Sequence, residues 1–138
     1  MSYKMNIAQD GILRISFVGD LDESEMISFA KDIHLYLEAA TEAEPVHSIM
    51  QVNQIGRISV SARKRFIDLN CDYRFGYLAC VGDNRSFRVL SKFMSKAAKR
   101  DNIRFFSEEH NALSWLNYIH SQRNHLNPSE DLAEGNHQ

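Results

Sequence analysis

Apolar and polar positions alternate from Tyr3 to Ala8 and again from Ile12 to Val18, with Asp10-Gly11 between the two runs. Alternation at period two marks strands. Asp-Gly between such runs marks a hairpin, because glycine tolerates the positive φ that the turn needs. The first two strands are therefore expected to be antiparallel neighbours. Gly19-Asp20-Leu21 ends the second strand, and Asp22 followed by Glu25 has the form of a capping box that opens a helix. Met26, Ile27, Phe29, Ala30, Ile33, Leu37 and Ala40 then recur at helical spacing, and this apolar stripe runs out near Glu44-Pro45.

Val46 to Val52 reads as a third strand, and Asn53-Gln54-Ile55-Gly56-Arg57 as a loop. Ser59 or Ser61 caps a second helix that turns Phe66, Leu69 and Tyr73 inward. Phe75 to Val81 is a near-continuous apolar run, the pattern of a strand covered on both faces. Asp83 or Asn84 caps a third helix whose inward side is Val89, Leu90, Phe93, Met94 and Ala97. Ile103 to Phe106 is a last short strand, and Ser107 caps a last helix that buries Ala112, Leu113, Trp115, Leu116 and Ile119. The order β-β-α-β-α-β-α-β-α predicts a single α/β domain over residues 1–123. Its sheet is mixed but mostly parallel, of about five strands, with an N-terminal antiparallel hairpin and four helices. The polar stretch 124–138 reads as a disordered tail.

Composition narrows the function more than it identifies it. A net charge of −2 over 138 residues gives no global attraction to nucleic acid, so no nucleic-acid partner is expected. No apolar run is long enough to span a bilayer and the N-terminus lacks a signal-peptide core, so a cytoplasmic location is expected. Cys71 and Cys80 make no disulfide framework, and no Cys or His pair has zinc-site spacing. No phosphate loop, dinucleotide fingerprint or nucleophile elbow is present, and the histidines are scattered without a nucleophile beside them. The reading is a non-catalytic protein with no cofactor and no metal.

The stretch Gly11-Ile12-Leu13-Arg14-Ile15-Ser16-Phe17-Val18-Gly19-Asp20-Leu21 resembles the start of a STAS domain, where a strand ends in glycine and a helix follows. Ala79-Cys80-Val81-Gly82-Asp83 and the run from Phe105 to Leu116 are similar to the SpoIIAA-like (STAS/SEC14-like) branch. The resemblance covers roughly residues 3 to 120, and it rests on the order of loose motifs. It implies a protein-interaction module of bacterial signalling. Signalling members carry an Asp-Ser pair after the third strand, whose serine a partner kinase phosphorylates. Here Val52 to Ser59 lacks that pair, and Ser59 and Ser61, slightly downstream, are the candidate phosphorylation sites.

In an open α/β sheet, ligands meet the loops at the carboxyl ends of the strands. Those loops hold Asp20, Asn53, Gln54, Gly56, Arg57, Asp83, Asn84 and Arg85, the candidate partner or ligand loop, although turns and caps also require such residues. The third helix carries a basic face, Arg88, Lys92, Lys96 and Lys99 following Arg85, while the first helical region is acidic around Lys31. This asymmetry suits a charged protein partner, a homodimer or phosphate groups on lipid, with nucleic acid the least favoured, and a solvated helix face explains it as well. The alternative reading is a carrier or sensor of a small amphipathic, lipid-like ligand, held in a pocket lined by Phe29, Ile33, Phe66 and Phe93.

Overall fold

A computed structural model describes residues 3–125. The first half of the chain forms β1 (Tyr3–Ile7), β2 (Leu13–Phe17), β3 (Gly19–Leu21), α1 (Glu23–Leu37), β4 (Val46–Gln51) and β5 (Ile55–Ile58). The second half forms α2 (Val60–Asn70), β6 (Phe75–Val81), α3 (Arg85–Ala98), β7 (Ile103–Phe106) and α4 (Glu109–His125). The expected tail lies outside the described residues, apart from the last turn of α4.

The N-terminal hairpin is antiparallel, with Tyr3 opposite Phe17 and Ile7 opposite Leu13. From β2 onward the main sheet is parallel, in the order β1-β2-β4-β6-β7. Alternation does the sorting: Leu13, Ile15 and Phe17 point into the larger core, while Arg14 and Ser16 point away. That core joins the sheet to α1, α2 and α3 through a chain of rings. Phe17 meets Phe29 at 4.9 Å between centroids, and Phe66 meets Phe87 edge-on at 5.3 Å. The opposite face is thinner, with Ile49, Ala79 and Val81 packed under Ala112 and Leu116 of α4.

Two expectations about elements need correction. The segment from Asn53 to Arg57 is not wholly a loop, because Ile55–Ile58 is a strand paired in parallel with β3 as a second, two-stranded sheet. The first helix ends at Leu37 rather than near Glu44. Faces also differ. Ile27, Tyr73, Val89, Phe93 and Ala97 were expected inward and are exposed. In α3 the buried stripe is Phe87, Leu90, Ser91, Met94 and Ala98. Phe87 anchors it against Phe66, and this turns Val89 and Phe93 to the outside.

Candidate functional site

The loops at the carboxyl end of the sheet are tied together by their own polar side chains. The Asn53 carboxamide oxygen accepts the backbone N–H of Asp83 at 2.8 Å, which links the loop after β4 to the loop after β6. Gly82 makes this approach possible. It takes φ of 121°, and a Cβ there would collide with the Asn53 amide. Asn84 caps α3 by accepting from Phe87 N at 3.0 Å, while its amide nitrogen donates to the carbonyls of Val52 and Ile55. Asp20 accepts from Arg57 N at 2.8 Å, and its carboxylate lies where a side chain on Gly56 would stand. The Gln54 carbonyl accepts Gly19 N at 2.8 Å. Asp20, Asn53 and Asn84 therefore hold the loops in place, and the arginines Arg57 and Arg85 project outward.

Ser59 is the cap of α2. Its extended backbone, φ −66° and ψ 164°, lets Oγ accept from Ala62 N at 3.1 Å, and its own N–H donates to the Leu21 carbonyl. Ser61 sits one step into the helix, its Oγ 3.2 Å from that of Ser59. Both side chains are half-buried. Ser59 lines a shallow depression together with Arg57, Arg63, Ser86, Asp20 and Asp22. Arg63 is steadied by donation from Nε to the Ile58 carbonyl at 3.0 Å. Val60, the first residue of α2, is 81 % exposed on this corner. Sequence patterning did not single it out, because an isolated valine after a cap carries no period.

On α3, Arg85, Arg88, Lys92, Lys96 and Lys99 are all exposed, and Val89 and Phe93 stand beside them. A groove between α2 and α3 is lined by Arg63, Ile67, Arg85, Val89, Leu90 and Phe93. The four residues expected to line a ligand pocket are not brought together. Phe29 and Ile33 border a cleft of about 170 Å³ between α1 and α2, Phe66 is fully buried among rings, and Phe93 faces outward. Drug-sized ligands generally occupy about 300–1,000 Å³.

Burial pushes the Cys80 thiol up, away from the thiolate that nucleophilic chemistry needs. No group of three or more His, Cys, Asp or Glu side chains is placed to hold a metal ion among the described residues. Among those residues, too, no helix is long and apolar enough to cross a membrane.

The order of elements and the site geometry can now be set beside known proteins. A family model described as SpoIIAA-like matches residues 12–117. A structure of an uncharacterized DUF3478-family protein with a SpoIIAA-like fold, from Shewanella loihica PV-4, superposes with a TM-score of 0.65 at 17 % identity. That match covers 83 % of this chain and 91 % of the other. The anti-sigma factor antagonist SpoIIAA in its unphosphorylated form gives a TM-score of 0.61 at 10 % identity, covering 83 % of this chain and 97 % of its own. At these identities the two structures speak for the fold. No curated protein matches the chain. The match to the family model takes in most of the residues from which the sheet and helices are built, and the chain belongs to the SpoIIAA-like family.

Proposed function

We propose that this domain acts by binding a protein partner in bacterial signalling or regulation, without catalysing a reaction, and that the β5–α2 corner is the contact surface. The observation that carries the reading is the division of labour among the loop residues. Asp20, Asn53 and Asn84 are committed to internal hydrogen bonds, while the side chains of Arg57 and Val60 are exposed. Arginine is enriched at interface centres, and Val60 adds exposed apolar area three residues along the chain from Arg57. One structurally similar protein is an anti-sigma factor antagonist, named for its action on another protein's regulator.

Ser59 and Ser61 give the corner a candidate switch. A phosphate on Ser59 would stand at the start of α2 in a depression that Arg57, Arg63, Asp20 and Asp22 also line, and one on Ser61 would stand two residues along the helix. Ser59→Asp keeps a capping oxygen, so it tests charge without removing the cap. With a partner isolated by affinity capture, Ser59→Asp or Ser61→Asp is expected to weaken binding at least fivefold in titration calorimetry. Unchanged affinity in both variants would remove the switch and leave the contact surface to be tested separately.

A further inference from the structure

From Arg85 to Lys99 the chain contains five cations and no carboxylate. Arg85, Arg88, Lys92, Lys96 and Lys99 are all exposed. At about 100° per residue they fall within an arc of about 80° on the outer side of α3. Along the border of that arc nearest α2 stand Val89 and Phe93, one turn apart and 49 % and 57 % exposed. Across the groove, α2 presents half-buried Ile67 beside exposed Arg63 and Lys64. An apolar strip is thus bracketed by cations on both sides. Neither the fold nor the β5–α2 corner accounts for an outward phenylalanine there.

We infer that the α2–α3 face docks this domain on an anionic lipid surface, with α3 in the headgroup plane and Phe93 and Val89 entering the acyl boundary. The inference goes beyond the protein-binding reading and stands or falls without it. Charge argues for this occupant. A protein of net charge −2 is repelled as a whole by an anionic surface, so a concentrated cationic face is what orients and holds it. The cations run along a helix about 20 Å long, at 1.5 Å per residue, instead of gathering at one end as a peptide terminus would require. Lys92, Lys96 and Lys99 are compact, hydrated point charges whose attraction to an anionic surface needs no fixed two-pronged geometry. The main apolar side of α3 is buried in the core, so only Val89 and Phe93 are left to enter the acyl boundary beside the cations. Attachment would be peripheral.

Co-sedimentation with vesicles of phosphatidylcholine alone, and of phosphatidylcholine mixed with phosphatidylglycerol, tests this. Wild type is expected to partition onto the mixed vesicles only, and Lys92→Glu/Lys96→Glu to lower that partition roughly tenfold or more. Lys4→Glu/Lys31→Glu changes net charge equally on other elements and is expected to have a much smaller effect. Phe93→Ser is expected to lower the fraction that stays bound when salt is raised. Thermal unfolding of each variant confirms that an exposed position has been changed without loss of the fold. Failure of wild type to sediment, or equal loss in both charge pairs, would overturn the inference. Equal binding to soluble polyglutamate, with Phe93→Ser silent, would also overturn it and assign the face to an acidic polypeptide.

Discussion

Asn70 and Asn102 face each other beneath α3 and exchange amide hydrogen bonds of 3.2 and 2.7 Å, both side chains being buried. Each amide nitrogen also reaches a backbone carbonyl, Met94 for Asn70 and Gly76 for Asn102. The pair therefore fastens the end of α2 to α3, to β6 and to the segment before β7. Low dielectric makes such a network strong when complete and costly when half removed. Asn102→Ala is expected to destabilise the domain by about 1–3 kcal/mol, because it takes from the buried Asn70 amide oxygen the donor that Asn102 supplies. Urea unfolding of Asn102→Ala checks this, and a loss under about 0.5 kcal/mol would mean that the network is not closed.

The loop asparagines are expected to act on stability before they act on binding. Asn84→Ala removes the α3 cap and two bonds to the carbonyls of Val52 and Ile55, at a cost of about 2 kcal/mol. Asn84→Ser keeps a capping oxygen and gives up the donated bonds without setting a carboxylate against the two carbonyls, so chemical denaturation should place it between Asn84→Ala and wild type.

Ser59 and Ser61 should separate cleanly. Ser59→Ala removes the bond to Ala62 N and is expected to cost about 1 kcal/mol. Ser61→Ala leaves that cap intact and should change the unfolding midpoint little.

Stability should fall at both ends of the pH scale, by different groups. Asp10 accepts from the Arg14 guanidinium and Asp72 from that of Arg74, and these bonds hold both carboxyls below their ordinary 3.8. Their contribution is present above about pH 4 and is lost as pH falls through the lowered folded values. Both pairs are partly open to water, so solvent screens them and the acid limb they contribute is shallow. The Tyr3 hydroxyl behaves oppositely. Burial first, and then its 2.5 Å bond to Asp32, pushes it from 10.0 up to about 12. Its contribution is complete below pH 10 and disappears as pH rises through about 12. Tyr3→Phe should remove that alkaline component in denaturation curves taken across this range, while Arg14→Gln should flatten part of the acid limb.

What could be read from the chain alone follows from how local each signal is. Asp22, Ser59 and Asn84 act on amides three residues away, so their capping roles are written in adjacent residues. The hairpin was equally legible, since Asp10-Gly11 and two alternating runs contain it. The β3–β5 ladder was not. It consists of Gly19–Leu21 and Ile55–Ile58, too short to show a period, and it is held by Asp20 reaching Arg57 across the chain. The face of α3 was misread because Val89, Phe93 and Ala97 recur at helical spacing just as Leu90, Met94 and Ala98 do, and only the packing of Phe87 on Phe66 decides which row is buried. For the site, the loop residues singled out from the sequence lie in the segments that follow β2, β4 and β6 at the carboxyl end of the sheet. That most of them bond to one another, leaving Arg57 and Val60 outward, depends on packing that no local pattern records.

The central claim is that this SpoIIAA-like domain binds a protein through the β5–α2 corner. It is tested most directly by quantitative affinity capture with wild type, Arg57→Glu/Val60→Asp and, as a distant control, Lys4→Glu/Lys31→Glu. The account predicts a protein retained by wild type and the control and lost, at least tenfold, by the corner variant with its fold intact. A partner retained equally by all three, or no protein retained by wild type under conditions that preserve the fold, would contradict it.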